Sequence, residues 1–302
     1  MIGGTRGGPY RGDWPATRVA VVGPGAIGAT LAAAVRRGGA DVLLCGRTPH
    51  ERLVVEREGG ATTVVPGPVL TDPGAAQRAD VVLLAVKAHQ TEGAAPWLAR
   101  LCHPEAIVVV LQNGVEQREL VEPHVRGATV LPAIVWVPAE AIAPAHVRVR
   151  GDLRLTLPDE PAARAVAELI EGVEPAEDFT TLAWRKLAIN AVAGLMVLAG
   201  RRAGMFRRPD VAALARDLAS EVLAVARAEG ADLPDTVADE LVAEFAAYPE
   251  DLGSSILFDY EAGRPLEWDA RNGVVARLGA RHGVPTPVSD VIVPLLAAAS
   301  SD

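Results

Sequence analysis

With 302 residues, half of them hydrophobic, the chain is long enough for about two domains with sizeable cores. A net charge of −9 and the lack of a basic stripe argue against a nucleic-acid-binding protein, and a small anionic substrate must be drawn in by local positive charge against the overall field. Cys45 and Cys102 lie in apolar stretches without metal-ligand spacing, so they read as reduced core thiols of a cytoplasmic protein with no metal site.

Residues 1–17 are rich in Gly and Arg and lack the apolar stretch of a signal peptide, which reads as a disordered tail. Arg18–Gly23 is a continuous apolar run, the pattern of a strand buried on both faces. It runs into Gly23-Pro24-Gly25-Ala26-Ile27-Gly28 and then a helix over Ala29–Arg37. Strand, G-x-G-x-x-G and helix in succession predict a dinucleotide site: a tight turn at the first glycine, pyrophosphate approach at the second, helix–strand packing at the third. The next strand, Asp41–Cys45, ends in Gly46-Arg47 where NAD-binding proteins usually carry an acid for the ribose 2′-hydroxyl. An arginine there can grip a 2′-phosphate with two hydrogen bonds, which favours NADP(H) over NAD.

Glu58–Leu70 reads as a short hairpin or connecting arm. Strands at Asp80–Val86 and Ile107–Leu111 end in Lys87 and in Gln112-Asn113-Gly114, at carboxyl ends where open α/β sheets bind ligands. Asn113 could stand in a plain turn or reach the nicotinamide ribose or the substrate. Two further strands, Thr129–Val137 and His146–Leu157, are read as antiparallel and are followed by a helix over Pro161–Gly172. The domain boundary is placed at residue 177: residues 18–176 form a Rossmann-type NADP-binding domain, and 177–302 an all-α substrate and catalytic domain.

The second domain opens on a long apolar helix, Thr181–Gly200. Its longest apolar run, Leu187–Gly200, is interrupted by Asn190 and is too short to span a bilayer, so no membrane association is expected. Lys186 and Asn190 are four apart and share one face. The chain has 29 basic residues but only two lysines, Lys87 and Lys186. An arginine keeps its proton, whereas a buried lysine can act as an acid or base, so Lys186 is a candidate proton donor against the plainer reading of a snorkelling side chain. Helices are expected at Asp210–Glu229, Thr236–Ala247, Ser254–Glu261, Glu267–His282 and Val288–Ala299. Helical surfaces of this domain could also serve as the face of a homodimer.

From Arg18 to Pro287 these patterns resemble the ketopantoate reductase family. The resemblance rests on G-x-G-A-I-G at 23–28, Arg47, L-x-V-K-A-x-Q at 84–90, Q-N-G at 112–114, W-R-K-L-x-x-N at 184–190, and S-S-x-x-x-D followed by a glutamate at 254–267. It implies NADPH-dependent reduction of 2-dehydropantoate to pantoate, on the route to pantothenate. It further implies that Gly23, Pro24, Gly25, Ala26, Ile27 and Gly28 hold the pyrophosphate, that Arg47 and Lys87 hold the 2′-phosphate, and that Asn113 sits where cofactor and substrate meet. Lys186 would be the general acid. Asn190 and Ser255 would bind the substrate's hydroxyl or carboxylate, and Glu267 would anchor the hydroxyl or orient the site.

Three positions depart from the family's polar pattern: Gly194, where a second asparagine is common, Gly204, and Leu252. They imply a pocket with fewer amide donors and more space, and keep open a reductase of a bulkier 2-oxo acid. A non-catalytic NADPH-binding sensor is the reading from another class, and the presence of both Lys186 and Glu267 speaks against it.

Overall fold

A computed structural model describes residues 17–301; the expected tail, apart from Thr17, lies outside the described residues. Two compact units form. One ends at Phe179, while the other runs from Thr180 and also takes in Asn113–Val115, a loop that the sequence reading leaves in the first domain.

The first unit opens with β1 (Val19–Val22), α1 (Ala26–Arg37) and β2 (Val42–Cys45). There follow β3 (Arg52–Arg57), β4 (Thr62–Pro66), β5 (Val69–Leu70) and β6 (Val81–Leu84), then α2 (Thr91–Leu101), β7 (Ile107–Val110), α3 (Gln117–Val121) and β8 (Thr129–Pro132). The main sheet has the order β5-β2-β1-β6-β7-β8 with every pair parallel. The chain steps one way from β1 and then returns to its other side at β6. This Rossmann-type arrangement puts a topological switch point beside the β1 carboxyl end.

The central strands β1, β6 and β7 are buried at every residue, as their unbroken Val/Ile/Leu runs require. Helix α1 is buried without a break from Gly28 to Val35. An ordinary surface helix keeps one wet face. Here the small side chains of ATLAAAV allow cover on both sides, by the main sheet and by a second sheet of order β10-β11-β3-β4, with β10 at Ala139–Ala143 and β11 at His146–Val149. Both cysteines are buried and free. Burial pushes each thiol up to about 12, so both stay protonated at neutral pH.

Several sequence expectations shift. The hairpin placed at Glu58–Leu70 begins earlier, at β3, and residues 58–61 are its turn. Thr129–Val137 is broken. β8 joins the main sheet in parallel with β7, the last bond of that ladder runs from the Ala133 N–H to the Val110 carbonyl, and β9 (Ile134–Trp136) turns away to pair antiparallel with β12 (Arg154–Pro158). His146–Leu157 is likewise split into β11 and β12, in different sheets, with Gly151 at φ +78° in the break. The helix read to Gly172 ends earlier, as α4 (Pro161–Leu169), and an unpredicted edge strand β13 (Val173–Ala176) pairs with β12; its sequence, VEPA, hides it because proline and glutamate are poor strand formers.

The second unit is all helical: α5 (Phe179–Ala199), α6 (Pro209–Ala228), α7 (Thr236–Ala247), α8 (Ser255–Glu261), α9 (Val274–His282) and α10 (Pro287–Ala299). Helix α5 has 21 residues, long and apolar enough to cross a membrane by length and composition, contrary to the shorter run read from sequence. Two thirds of its most apolar window is buried within the protein, which marks it as a core helix. Buried Glu221 on α6 accepts from the Val288 and Ser289 backbone N–H groups and from the Ser289 hydroxyl, satisfying orphan donors at the start of α10. Glu221→Ala is expected to cost about 2–3 kcal/mol, because it strands buried donors. Urea unfolding checks this, and a change below about 0.5 kcal/mol would refute it.

Candidate active site

Lys186 is half-buried on α5, one turn before buried Asn190. Asn190 Nδ2 donates to Asn113 Oδ1 at 3.2 Å, and Asn113 Nδ2 donates to Glu267 Oε2 at 2.9 Å. A carboxylate accepts only, which fixes the orientation of both amides along this chain. The Asn113 loop is seated by Val115, which packs on the helical core, and by Gly114 at φ +116°, whose missing side chain lets the Ala270 carbonyl approach. The plain-turn reading of Asn113 is thus set aside.

Glu267 is only 4% exposed and precedes the helix that starts at Trp268. It is therefore no solvated helix-start acid. Residues Asp269–Gly273 then form a π turn, an insertion frequent at functional sites. It turns the adjacent Arg271 and Asn272 both inward, at 2% and 1% exposure. Gly273 leaves room beside the turn for the Asp269 carboxylate, whose Oδ1 would stand 2.4 Å from a Cβ there.

Ser254, not Ser255, caps α8, accepting from the Leu257 N–H at 3.4 Å. Ser255 Oγ instead accepts from Arg271 at 2.7 Å. Burial pushes the Arg271 guanidinium down from its ordinary value, and the charges of Glu267 and Asp259 push it back up. Asp259 in turn accepts from Arg264 Nε at 2.8 Å.

In the first unit the three glycines meet three different demands. Gly23 has φ +88° and lies against the Val86 backbone, at the β1/β6 switch point. Gly28 begins the buried face of α1, where a Cβ would meet the Gly23 carbonyl at 2.3 Å. Around Gly25 a Cβ would meet nothing within 4 Å, so this side is open to a ligand. Helix α1 starts at Ala26, earlier than read, and its first turn has neither a side-chain cap nor an acid, leaving the N–H groups of Ala26, Ile27 and Gly28 for an anion. Pro24 packs on Gly46, where a Cβ would be 3.0 Å from Pro24 Cδ, so exposed Arg47 follows directly from a contact with the glycine loop. Half-buried Lys87 follows β6, with its backbone N–H held by Gln90 Oε1 at 3.2 Å. An open glycine, uncapped amides and nearby cations suit a dinucleotide phosphate.

Comparison with known proteins bears on the same residues. The family pattern described as Ketopantoate reductase PanE/ApbA matches residues 19–161, and its C-terminal counterpart matches 178–300. The chain belongs to the ketopantoate reductase family. It is 54% identical over 290 residues to a 2-dehydropantoate 2-reductase of Mycobacterium tuberculosis, covering 94% of this chain and 98% of that one. It is 38% identical to the 2-dehydropantoate 2-reductase of Caulobacter vibrioides, with 94% and 99% covered. The crystal structure of a ketopantoate reductase from Ralstonia eutropha superposes with a TM-score of 0.84 at 31% identity, covering 93% of this chain and 98% of that one.

Against that family, the three departures take on a different meaning. No space opens at Gly194: a Cβ there would lie 3.1 Å from Asn272 Oδ1 and 3.1 Å from Leu296 Cδ1. The Asn272 amide, donating to the Ala191 carbonyl at 3.1 Å, fills the volume beside position 194. Position 204 is equally occupied, with Glu250 3.2 Å from its would-be Cβ, and Leu252 is exposed. The expectation of a roomier pocket is therefore corrected. Arg271 is the polar residue that sequence reasoning overlooked, and Asp259 entered only as the aspartate of the S-S-x-x-x-D pattern, without a role. Arg271 follows Glu267 by four, the one-turn spacing used for Lys186 and Asn190, and that was the available signal.

Proposed function

We infer that this reductase transfers hydride from NADPH to 2-dehydropantoate, giving pantoate, with Lys186 as general acid. The observation that carries the reading is the chain Asn190–Asn113–Glu267, anchored one turn from Lys186 in a protein 54% identical to a named 2-dehydropantoate 2-reductase. NADPH supplies the hydride to the ketone carbon. Negative charge then grows on the ketone oxygen, where the Lys186 ammonium stabilises it and donates a proton. Glu267, held by Asn113, favours the charged lysine and accepts from the substrate hydroxyl. Asn190 gives one Nδ2 proton to Asn113 and offers the other to the oxygen of the same hydroxyl. Ser255 binds the carboxylate.

In the first unit the amides of α1 hold the pyrophosphate and Arg47, with Lys87, holds the 2′-phosphate. Loss of a charged hydrogen bond costs about 1.5–3 kcal/mol. Arg47→Ala is thus expected to raise the KM for NADPH roughly 10- to 100-fold and leave that for NADH unchanged. A similar effect on both would refute the assignment. We place the enzyme in the cytoplasm, consistent with its two buried, protonated thiols.

The reaction itself is tested by NADPH oxidation with 2-ketopantoate beside a panel of 2-oxo acids. A clear preference for ketopantoate is expected. Turnover only with another acid would move the substrate and keep the chemistry, and no turnover despite NADPH binding would return the sensor reading. The filled volume at Gly194 removes the reason to expect a bulkier acid.

A further inference from the structure

Arg271 is among the largest fully buried side chains, and it carries a charge. Burial of a guanidinium is costly unless its donors and charge are answered. Here only part is answered: one nitrogen donates to Ser255 Oγ at 2.7 Å, while Nε is buried with no hydrogen-bond partner among the described residues. For core packing alone, an apolar residue of similar volume would serve as well or better.

The bond to Ser255 has a directional consequence. A guanidinium has no acceptor, so Ser255 Oγ must accept and its own O–H must be donated elsewhere. The bond occupies one of the oxygen's two lone pairs with a cation and leaves the O–H as the serine's remaining donor, which suits an anionic oxygen. Charge points the same way. Arg264 and Arg271 stand against Asp259 and Glu267, a neutral set. Lys186 stands one turn before Asn190, whose amide leads through Asn113 to Glu267, and brings one more positive charge to this unit. Positions 194, 204 and 252 supply no side-chain amide, so carboxylate recognition has to come from other groups.

The geometry points to Arg271 as a positioning residue that holds the Ser255 hydroxyl as a donor to the carboxylate of the 2-oxo acid. This rests on the proposed reaction and adds to it the group that selects a free acid over an ester. Arg271 acts through Ser255, and its neighbours Glu267 and Asp259 keep the guanidinium charged.

The test compares 2-ketopantoate with its cyclic ester, ketopantolactone, which keeps the ketone but lacks both the carboxylate and the free hydroxyl, and with 3,3-dimethyl-2-oxobutanoate, which keeps the carboxylate and lacks only the hydroxyl. Both acids are expected to respond alike, and a KM that rises for ketopantoate but not for the dimethyl acid would overturn the assignment. In Arg271→Met and in Ser255→Ala, the KM for the acid is expected to rise about 10- to 100-fold, the loss of one charge-assisted hydrogen bond. The kcat should change less than about 3-fold, and the KM for the lactone should stay put. The double variant should be no worse than Ser255→Ala alone, because the two act as one unit. Arg271→Lys should recover part of the affinity. Equal losses for acid and lactone, or additive effects in the double variant, would overturn the assignment. Should Arg271→Met fail to fold, Ser255→Ala and Arg271→Lys decide it, and an unchanged acid KM in Ser255→Ala would overturn it. Turnover by the unmutated protein reports separately on the proposed reaction. If another 2-oxo acid is preferred, the same comparison is run with that acid and its ester. If none is turned over, calorimetric binding of pantoate to the same variants decides the role of Arg271: weakened binding supports it, and unchanged binding overturns it.

Discussion

Lys186→Met is expected to lower kcat by about 10²–10⁴-fold, the usual worth of a positioned proton donor, while NADPH still binds. Methionine keeps an unbranched apolar stem of similar length and removes the ammonium. The helix should tolerate it, since Lys186 is half-buried and the packing of α5 rests on its buried neighbours Ala183, Trp184, Leu187 and Ala188. What is lost is specific to the reaction: the charge facing the developing alkoxide and the proton that quenches it. Lys186→Arg should fail nearly as badly, because a guanidinium keeps the charge but does not release its proton. The decisive pair of measurements is steady-state turnover with saturating NADPH and NADPH binding by fluorescence. Near-normal turnover with the cofactor bound would remove Lys186 from the role of general acid.

Several features of this site could be read from one sequence, and the reason is local. The glycine loop is legible because each glycine answers a backbone demand within a few residues: a positive φ, an open side, a tight contact. The central strands are legible because burial on both faces forces an unbroken apolar run. Lys186 and Asn190 are legible because helical spacing alone puts them on one face.

The illegible parts depend on partners distant in sequence. Whether Thr129–Val137 is one strand or two turns on which sheet each half joins, and only a proline within the run, Pro132, hints at the break. Asn113 follows a Rossmann strand, yet its side chain works with residues 77 and 154 positions away. Gly194 read as a lost amide because the replacement comes from another element. Asn272 reaches that volume through a π turn, and regular helical spacing does not foresee one. The exchange also predicts what a family-minded repair would do. An asparagine at 194 would have to displace both Asn272 and Leu296, so it would crowd the site it was meant to restore.

The glycine loop offers the sharpest separation of folding from binding, because two neighbouring alanine substitutions should fail in different ways. In Gly28→Ala the new methyl would stand 2.3 Å from the Gly23 carbonyl, 3.0 Å from Val21 Cγ1 and 3.1 Å from Ala85 Cβ. Neither the carbonyl nor the strand can yield cheaply, since β1 is buried on both faces between β2 and β6. Overpacking of this kind costs about 1–3 kcal/mol or more, so Tm should fall, and NADPH binding should fall with the displaced turn. In Gly25→Ala the methyl meets no protein atom within 4 Å, and the backbone there, at φ −76°, accepts any residue. Stability should stay within about 0.5 kcal/mol or rise slightly as the unfolded chain loses freedom. The methyl nevertheless occupies the approach to the α1 amides, and NADPH affinity should drop by roughly 10- to 100-fold or more. Thermal unfolding and NADPH titration of the two variants side by side read out both effects. Unimpaired NADPH binding by a well-folded Gly25→Ala protein would mean that the pyrophosphate does not lie against this loop.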